Sequence, residues 1–216
     1  MNIGHIVTNL FGENIYFLWD ESTKECIVVD PGMMKNAERL VFDKIIDNQK
    51  FNLKAVILTH MHIDHAYSAQ YVANKYNVPI YASKGDEQLG LNLPQQAESF
   101  NLNGEPIEDL TDYFDIDFAP QTKLGDETLE FSHIAGHSEG SILIYAPKSG
   151  FALTGDAIFA GSIGRTDLPG GDFETLRKSI IEIMYSLPED TLLFPGHGEK
   201  TTVIEEKKYN PYVNCM

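Results

Sequence analysis

The sequence predicts a layered α/β protein built on mixed β-sheets, and three observations carry that prediction. Strand-like and helix-like segments alternate along all 216 residues. Some strand-like runs are joined by tight turns, which makes antiparallel neighbours. Others are joined through amphipathic helices, which makes strand–helix–strand units and parallel neighbours.

The elements follow in order. Asn14–Trp19 and Cys26–Val29 are apolar or β-branched runs separated by the turn-rich 20–24 segment, and they read as a hairpin. Asp30-Pro31-Gly32 breaks the second strand. Ala37, Leu40, Val41 and Ile45 fall at helical spacing, so a helix is expected over 35–49 with those residues on its apolar face. Ala55–Leu58 reads as a buried strand ending at Thr59. Ala66, Ala69, Ala73 and Tyr76 mark a second helix, and Pro79–Ala82 a further short strand. Lys84–Ile116 is irregular and rich in Asn, Pro and Gly, consistent with a short helix and a long surface loop. Strands are expected again at Thr128–Ile134, Ser141–Ala146 and Phe151–Thr154. Phe159–Asp172 is too rich in glycine for a strand or helix interior and reads as a loop. Asp172 then caps a helix with Leu176, Ile180, Ile183 and Leu187 on one face, and Leu192–Phe194 is the expected last strand. No linker or low-complexity segment interrupts the chain, so residues 1–216 are expected to form a single domain.

Composition narrows the class. Hydrophobic residues make up 43 % and charged residues 22 %, as in an ordinary globular protein. A net charge of −16 repels phosphate backbones and makes nucleic acid a poor partner. No basic-then-apolar leader opens the sequence and no apolar run reaches membrane-spanning length, so the expectation is a cytoplasmic protein without a membrane partner. The two cysteines are too few for a disulfide framework; Cys26 reads as a buried small hydrophobe and Cys215 as exposed.

The chemistry lies in Thr59-His60-Met61-His62-Ile63-Asp64-His65. Three imidazoles and a carboxylate within six residues suit divalent first-row metals, zinc above all. In an extended turn His60 and His62 can share one ion, while Asp64 and His65 reach a second. The segment leaves a buried strand and enters a helix, where open α/β sheets place ligands. His137, Asp156 and His197 repeat the arrangement, each preceded by a glycine (Gly136, Gly155, Gly196) and placed beyond a strand-like run. So many ionisable groups packed together without a counter-ion would be costly. His5 and His133 lack this context and read as ordinary surface or strand histidines.

These residues resemble the metallo-β-lactamase superfamily, and within it the glyoxalase II (hydroxyacylglutathione hydrolase) branch. The resemblance rests on Thr-His-Met-His-Ile-Asp-His at 59–65, Gly-His-Ser at 136–138, Thr-Gly-Asp at 154–156, Gly-Arg-Thr-Asp at 164–167 and Pro-Gly-His-Gly at 195–198. It implies a four-layer αββα sandwich of two mixed β-sheets flanked by helices, with two divalent metal ions at one edge, zinc first and iron or manganese as alternatives. By the same resemblance His60, His62 and His137 hold one ion, Asp64, His65 and His197 the other, and Asp156 bridges them. The sequence stops about twenty residues after His197, which matches a short form without the C-terminal helical extension of the best-known glyoxalase II enzymes.

The implied reaction is hydrolysis of a small-molecule thioester. Two ions about 3.5–4 Å apart can hold a bridging hydroxide and polarise the carbonyl. Asp64 and Asp156 are the expected catalytic carboxylates, both serving also as ligands. Arg165 is a candidate for a substrate carboxylate, with Asp167 beside it; a local Arg165–Asp167 salt bridge that shapes the loop is the equal alternative. A rival within the resemblance is a persulfide dioxygenase with one iron on His60, His137 and Asp156. A lactonase or other ester hydrolase is a weaker alternative, and the aspartate at 156, where zinc β-lactamases usually carry cysteine, argues against a β-lactamase. The sequence leaves the oligomeric state open.

Overall fold

The structure, a computed structural model, describes residues 1–118 and 122–214. Six strands form the first sheet: β1 (Asn2–Thr8), β2 (Glu13–Trp19), β3 (Glu25–Val29), β4 (Asn52–Ile57), β5 (Ile80–Ala82) and β6 (Phe114–Asp115), adjacent in that order. The first three are antiparallel neighbours, and β3 through β6 run parallel. The parallel crossovers are made by α1 (Asn36–Gln49), by α2 (Ile63–Ala66) with α3 (Ala69–Tyr76), and by α4 (Glu87–Gly90) with α5 (Leu93–Ser99). A small hairpin, β7 (Lys123–Leu124) with β8 (Glu127–Thr128), precedes the second sheet. That sheet contains β9 (Glu130–His133), β10 (Ile142–Ala146) and β11 (Phe151–Gly155). A second hairpin, β12 (Ile158–Phe159) with β13 (Ser162–Ile163), and helix α6 (Phe173–Glu182) lead to β14 (Leu192–Pro195), β15 (Thr201–Thr202) and α7 (Val203–Tyr209). The order across the second sheet is β15-β14-β11-β10-β9, with β11 and β14 parallel.

Alternation along the strands builds the layers. On β2, Tyr16 and Leu18 point to a core shared with Ile142, Ile144 and Leu153 of the second sheet. Ile15 and Phe17 point the other way, onto Phe42, Ile46 and Val72 of the helices. On the far side, Leu143, Ala152 and Leu193 pack against Leu176, Ile180 and Val203. The central strands of each sheet are thus buried on both faces, which is why they read as near-continuous apolar runs. Leu18 is fully buried between the sheets. Leu18→Ala is expected to cost about 2–5 kcal/mol of stability, measured by urea unfolding.

Several expectations are corrected. The helix over 35–49 forms, but Leu40 and Val41 are each 52 % exposed and Phe42 and Ile46 face the core instead. Phe42 stacks on Phe17 with ring centroids 5.4 Å apart, and that larger apolar contact sets the rotation of the helix. The N-terminal residues form β1, whose side chains are mostly exposed or half-buried and give no clear alternation to read. The expected helix after His65 is split into α2 and α3 around Tyr67 and Ser68. The glycine-rich 159–172 segment shares in the β12–β13 hairpin, and β15 and α7 follow the strand expected to be last. Cys26 is buried as expected, its thiol pushed up to about 12 by that burial; Cys215 lies outside the described residues. Among the described residues no helix is long and apolar enough to cross a membrane.

Candidate metal centre

Strand direction explains the site. β9 and β11 are both antiparallel to β10, and β11 is parallel to β14, so all three point the same way. Their C-terminal ends deliver His137, Asp156 and His197 to one edge of the second sheet. β4 delivers His60 and His62 to the matching edge of the first sheet, and the short helix α2 turns Asp64 and His65 back towards them.

The seven residues converge as two groups. His137 Nε2 lies 2.8 Å from His62 Nδ1 and 3.2 Å from His60 Nε2. Ligand atoms on a tetrahedral ion with bonds of about 2.0–2.1 Å would be roughly 3.3 Å apart. In the second group His197 Nε2 lies 3.2 Å from Asp64 Oδ2, and His65 Nε2 lies 3.8 Å from the same oxygen. Asp156 faces both groups: Oδ1 is 3.4 Å from His65 Nε2, while Oδ2 is 3.5 Å from His197 Nε2 and 3.7 Å from His137 Nε2.

The outer nitrogens decide what the inner ones present. His137 Nδ1 donates to the Arg165 carbonyl (2.8 Å), His65 Nδ1 to Asp30 Oδ2 (3.0 Å) and His197 Nδ1 to the Phe11 carbonyl (3.1 Å). Thr59 Oγ1 spends its proton on Asp30 Oδ2 (2.6 Å), so it accepts from His60 Nδ1 (3.1 Å). His60 Nε2 and His137 Nε2 are therefore bare lone pairs facing each other, an arrangement that a cation between them reconciles. Among the described residues, His62 Nε2, His65 Nε2 and Asp156 Oδ1 are buried atoms with no hydrogen-bond partner. The donor set fits divalent metal ions.

The two groups differ electrostatically. Burial, with the neighbouring imidazoles, drives His60 well below the usual histidine range, and burial with His137 lowers His62 to about 3. Both are held neutral, the form in which an imidazole can bind a metal ion. In the second group burial opposes charge, but Asp156, Asp64 and Asp30 lift His65 well above the usual range. Burial likewise opposes charge on His197, which bonds to Asp156 and Asp64 raise to about 9. Without metal, protons offset the carboxylates there; a cation would displace them. Asp64, Asp156 and His197 keep 15, 12 and 22 % of their side-chain surface exposed, so this group is the open mouth of the site.

Two glycines are required by the geometry. A Cβ on Gly196 would lie 2.2 Å from Asp156 Oδ1 and 2.6 Å from His65 Cε1. Gly136, at φ +129, would drive a Cβ to 2.2 Å from the Leu176 nitrogen. Gly196→Ala is expected to yield folded protein that has lost metal from the Asp64–His65–His197 group, read by metal analysis beside circular dichroism.

Sequence reasoning missed four supporting residues. Asp30, read as a strand breaker, is buried at φ +53 and accepts from Thr59 N, Thr59 Oγ1 and His65 Nδ1. Its place as an acid at the C-terminal end of a buried strand was the available signal. Asp86 ties the two histidine loops together, accepting from Met61 N, Gly140 N and Ser138 Oγ. Asn14 donates to the Pro195 and Gly198 carbonyls and braces the turn that carries His197. Glu13 is fully buried with no hydrogen-bond partner for either carboxylate oxygen among the described residues, and burial holds it far above the normal carboxylate range. Nothing in the local sequence marks the last three. Arg165 and Asp167 form an exposed bidentate pair, with both bonds at 2.7 Å. His133 pairs with Asp117 at the surface and His5 packs on Tyr16, both away from the cluster.

What this fold and cluster define is a metallo-hydrolase. The chain belongs to the metallo-β-lactamase superfamily, whose family model matches residues 8–197. It is 37 % identical to the hydroxyacylglutathione hydrolase GloC of Haemophilus influenzae, over 99 % of both chains. The crystal structure of BLEG-1, a B3 metallo-β-lactamase, is similar with a TM-score of 0.86 at 31 % identity, covering 99 % of this chain and 100 % of that one. The structure of TTHA1623 in a di-iron-bound form has a TM-score of 0.82 at 28 % identity, covering 97 % and 99 %.

Proposed function

We propose that the chain hydrolyses thioesters of the hydroxyacylglutathione type at a binuclear metal centre. His60, His62 and His137 would hold one divalent ion and Asp64, His65 and His197 the second, with Asp156 shared. Zinc suits this imidazole–carboxylate set, and iron or manganese are its alternatives; the di-iron form of TTHA1623 supports iron as an occupant. The observation that carries the reading is the position of Asp156, whose two oxygens face both groups of histidines.

Bound there, the ions would supply a water acidified towards neutral pH and a Lewis-acid contact for the thioester carbonyl. The residues do the rest. Asp64, at the open mouth, would orient that water and take its proton, while Asp156 would serve as the shared ligand. Water adds to the carbonyl carbon, the C–S bond breaks, and the products are a carboxylate and a thiol. Cys26 offers no competing nucleophile, since it is buried in the helix-side core. The Arg165–Asp167 pair shapes the loop whose Arg165 carbonyl orients His137, and we assign it that role in preference to substrate binding.

The test is a metal count on purified protein together with turnover of S-D-lactoylglutathione, a small thioester panel and a β-lactam. Two ions per chain with thiol release uphold the proposal. One iron per chain with oxygen uptake on glutathione persulfide would replace it with a dioxygenase, and β-lactam turnover alone would replace it with a lactamase.

A further inference from the structure

A substrate's reacting carbonyl must reach the metal centre, so the groups on either side of it must lie on surfaces that border the site. One such surface is a cavity of about 560 Å³ with His62 in its wall. Helices α4 and α5 and the 168–170 loop supply most of the rest. Leu89, Phe100, Leu168 and Pro169 give it an apolar lining. The amides at its rim, Gln88 and Gln95 among them, are open to solvent and require no ligand.

One turn joins the mouth of the metal centre to this lining. Asn9 donates to the Gly32 and Asp64 carbonyls and accepts from Phe11 N. The Phe11 carbonyl in turn accepts from His197 Nδ1 at 3.1 Å. The Phe11 ring meets Phe100 edge-on, with centroids 5.6 Å apart. The 9–11 segment is thus tied to the backbone of Asp64 and the imidazole of His197, and continues as an aromatic pair into the cavity wall. Phe100 still keeps 40 % of its surface exposed. An aliphatic chain laid along this wall would cover that surface, and each methylene fully removed from water strengthens binding roughly fourfold. The carboxylates and ammonium of glutathione gain nothing from an apolar wall. The acyl half of a thioester does.

Resting on the thioesterase reading above, we propose that this cavity receives the acyl half of the substrate, so that among hydroxyacylglutathiones the chain prefers longer aliphatic acyl chains to lactoyl. The test varies the acyl chain alone. S-lactoylglutathione and S-(α-hydroxyheptanoyl)glutathione, which differ by about four methylenes, are compared by thiol release, each corrected for its rate of alkaline hydrolysis. Calorimetry on the metal-loaded protein compares lactate with α-hydroxyheptanoate, the acyl products whatever the leaving group. The longer chain is expected to gain about tenfold or more in kcat/KM and in affinity. Phe100→Ser and Leu168→Ser, made separately and checked for folding by circular dichroism, are each expected to shrink both gaps by about threefold or more. Equal affinities, no binding of either acid, or gaps that neither variant changes would overturn the inference. If neither thioester is hydrolysed while the longer acid still binds more tightly, the thioesterase reading falls and the acyl cavity stands.

Discussion

Asp156→Ala protein is expected to retain its fold, bind fewer metal ions than the parent and lose about 10³-fold or more in kcat/KM. Asp156 is the side chain placed towards both groups, 3.4 Å from His65, 3.5 Å from His197 and 3.7 Å from His137. Removing it takes away an anion that opposes two cations, and leaves His65 and His197 with Asp64 as their one remaining carboxylate at the inner face. Metal analysis and thioester turnover read the two effects separately. His133→Ala is the control: its partner is the surface residue Asp117, and turnover should stay within about twofold. Activity at the parental level in the Asp156 variant would refute the shared-ligand assignment.

Asp30→Asn should have the next largest effect, although Asp30 is outside the seven proposed ligands. One oxygen accepts from Thr59 N at 2.7 Å and the other from Thr59 Oγ1 at 2.6 Å and His65 Nδ1 at 3.0 Å. Asparagine tolerates the left-handed backbone at this position, so the turn itself survives. Its amide nitrogen, however, would place a donor against two donors. The expected cost is about 1–3 kcal/mol of stability, together with a roughly 10–100-fold loss of metal affinity as His65 loses its orientation. Urea unfolding of the metal-free protein isolates the first and competition with a chelator the second. An unchanged metal affinity would show that His65 is held by packing alone.

The candidate ligands were legible in the sequence because each lies past the end of a strand. His60, His62, Asp64 and His65 sit within one strand-to-helix turn, and the other three each follow a glycine at a strand end. The layered fold was legible for a similar reason, since strands buried on both faces read as apolar runs. The supporting residues were not, because their partners are distant in sequence. Asp30 meets His65 across 35 residues, Asp86 meets Gly140 across 54, and Asn14 meets the Pro195 carbonyl across 181. The rotation of α1 was misread because spacing alone ranked Leu40 and Val41 with the core, whereas the ring contact of Phe42 with Phe17 decides it.

The two metal-binding groups draw on both sheets, with residues 60–65 entering from β4 of the first and His137, Asp156 and His197 from strands of the second. Bound cations would therefore rivet together two halves of the chain that are made at different times during synthesis. Once loaded, the ions would in turn oppose separation of the halves, by about 4 kcal/mol at a thousandfold excess over Kd.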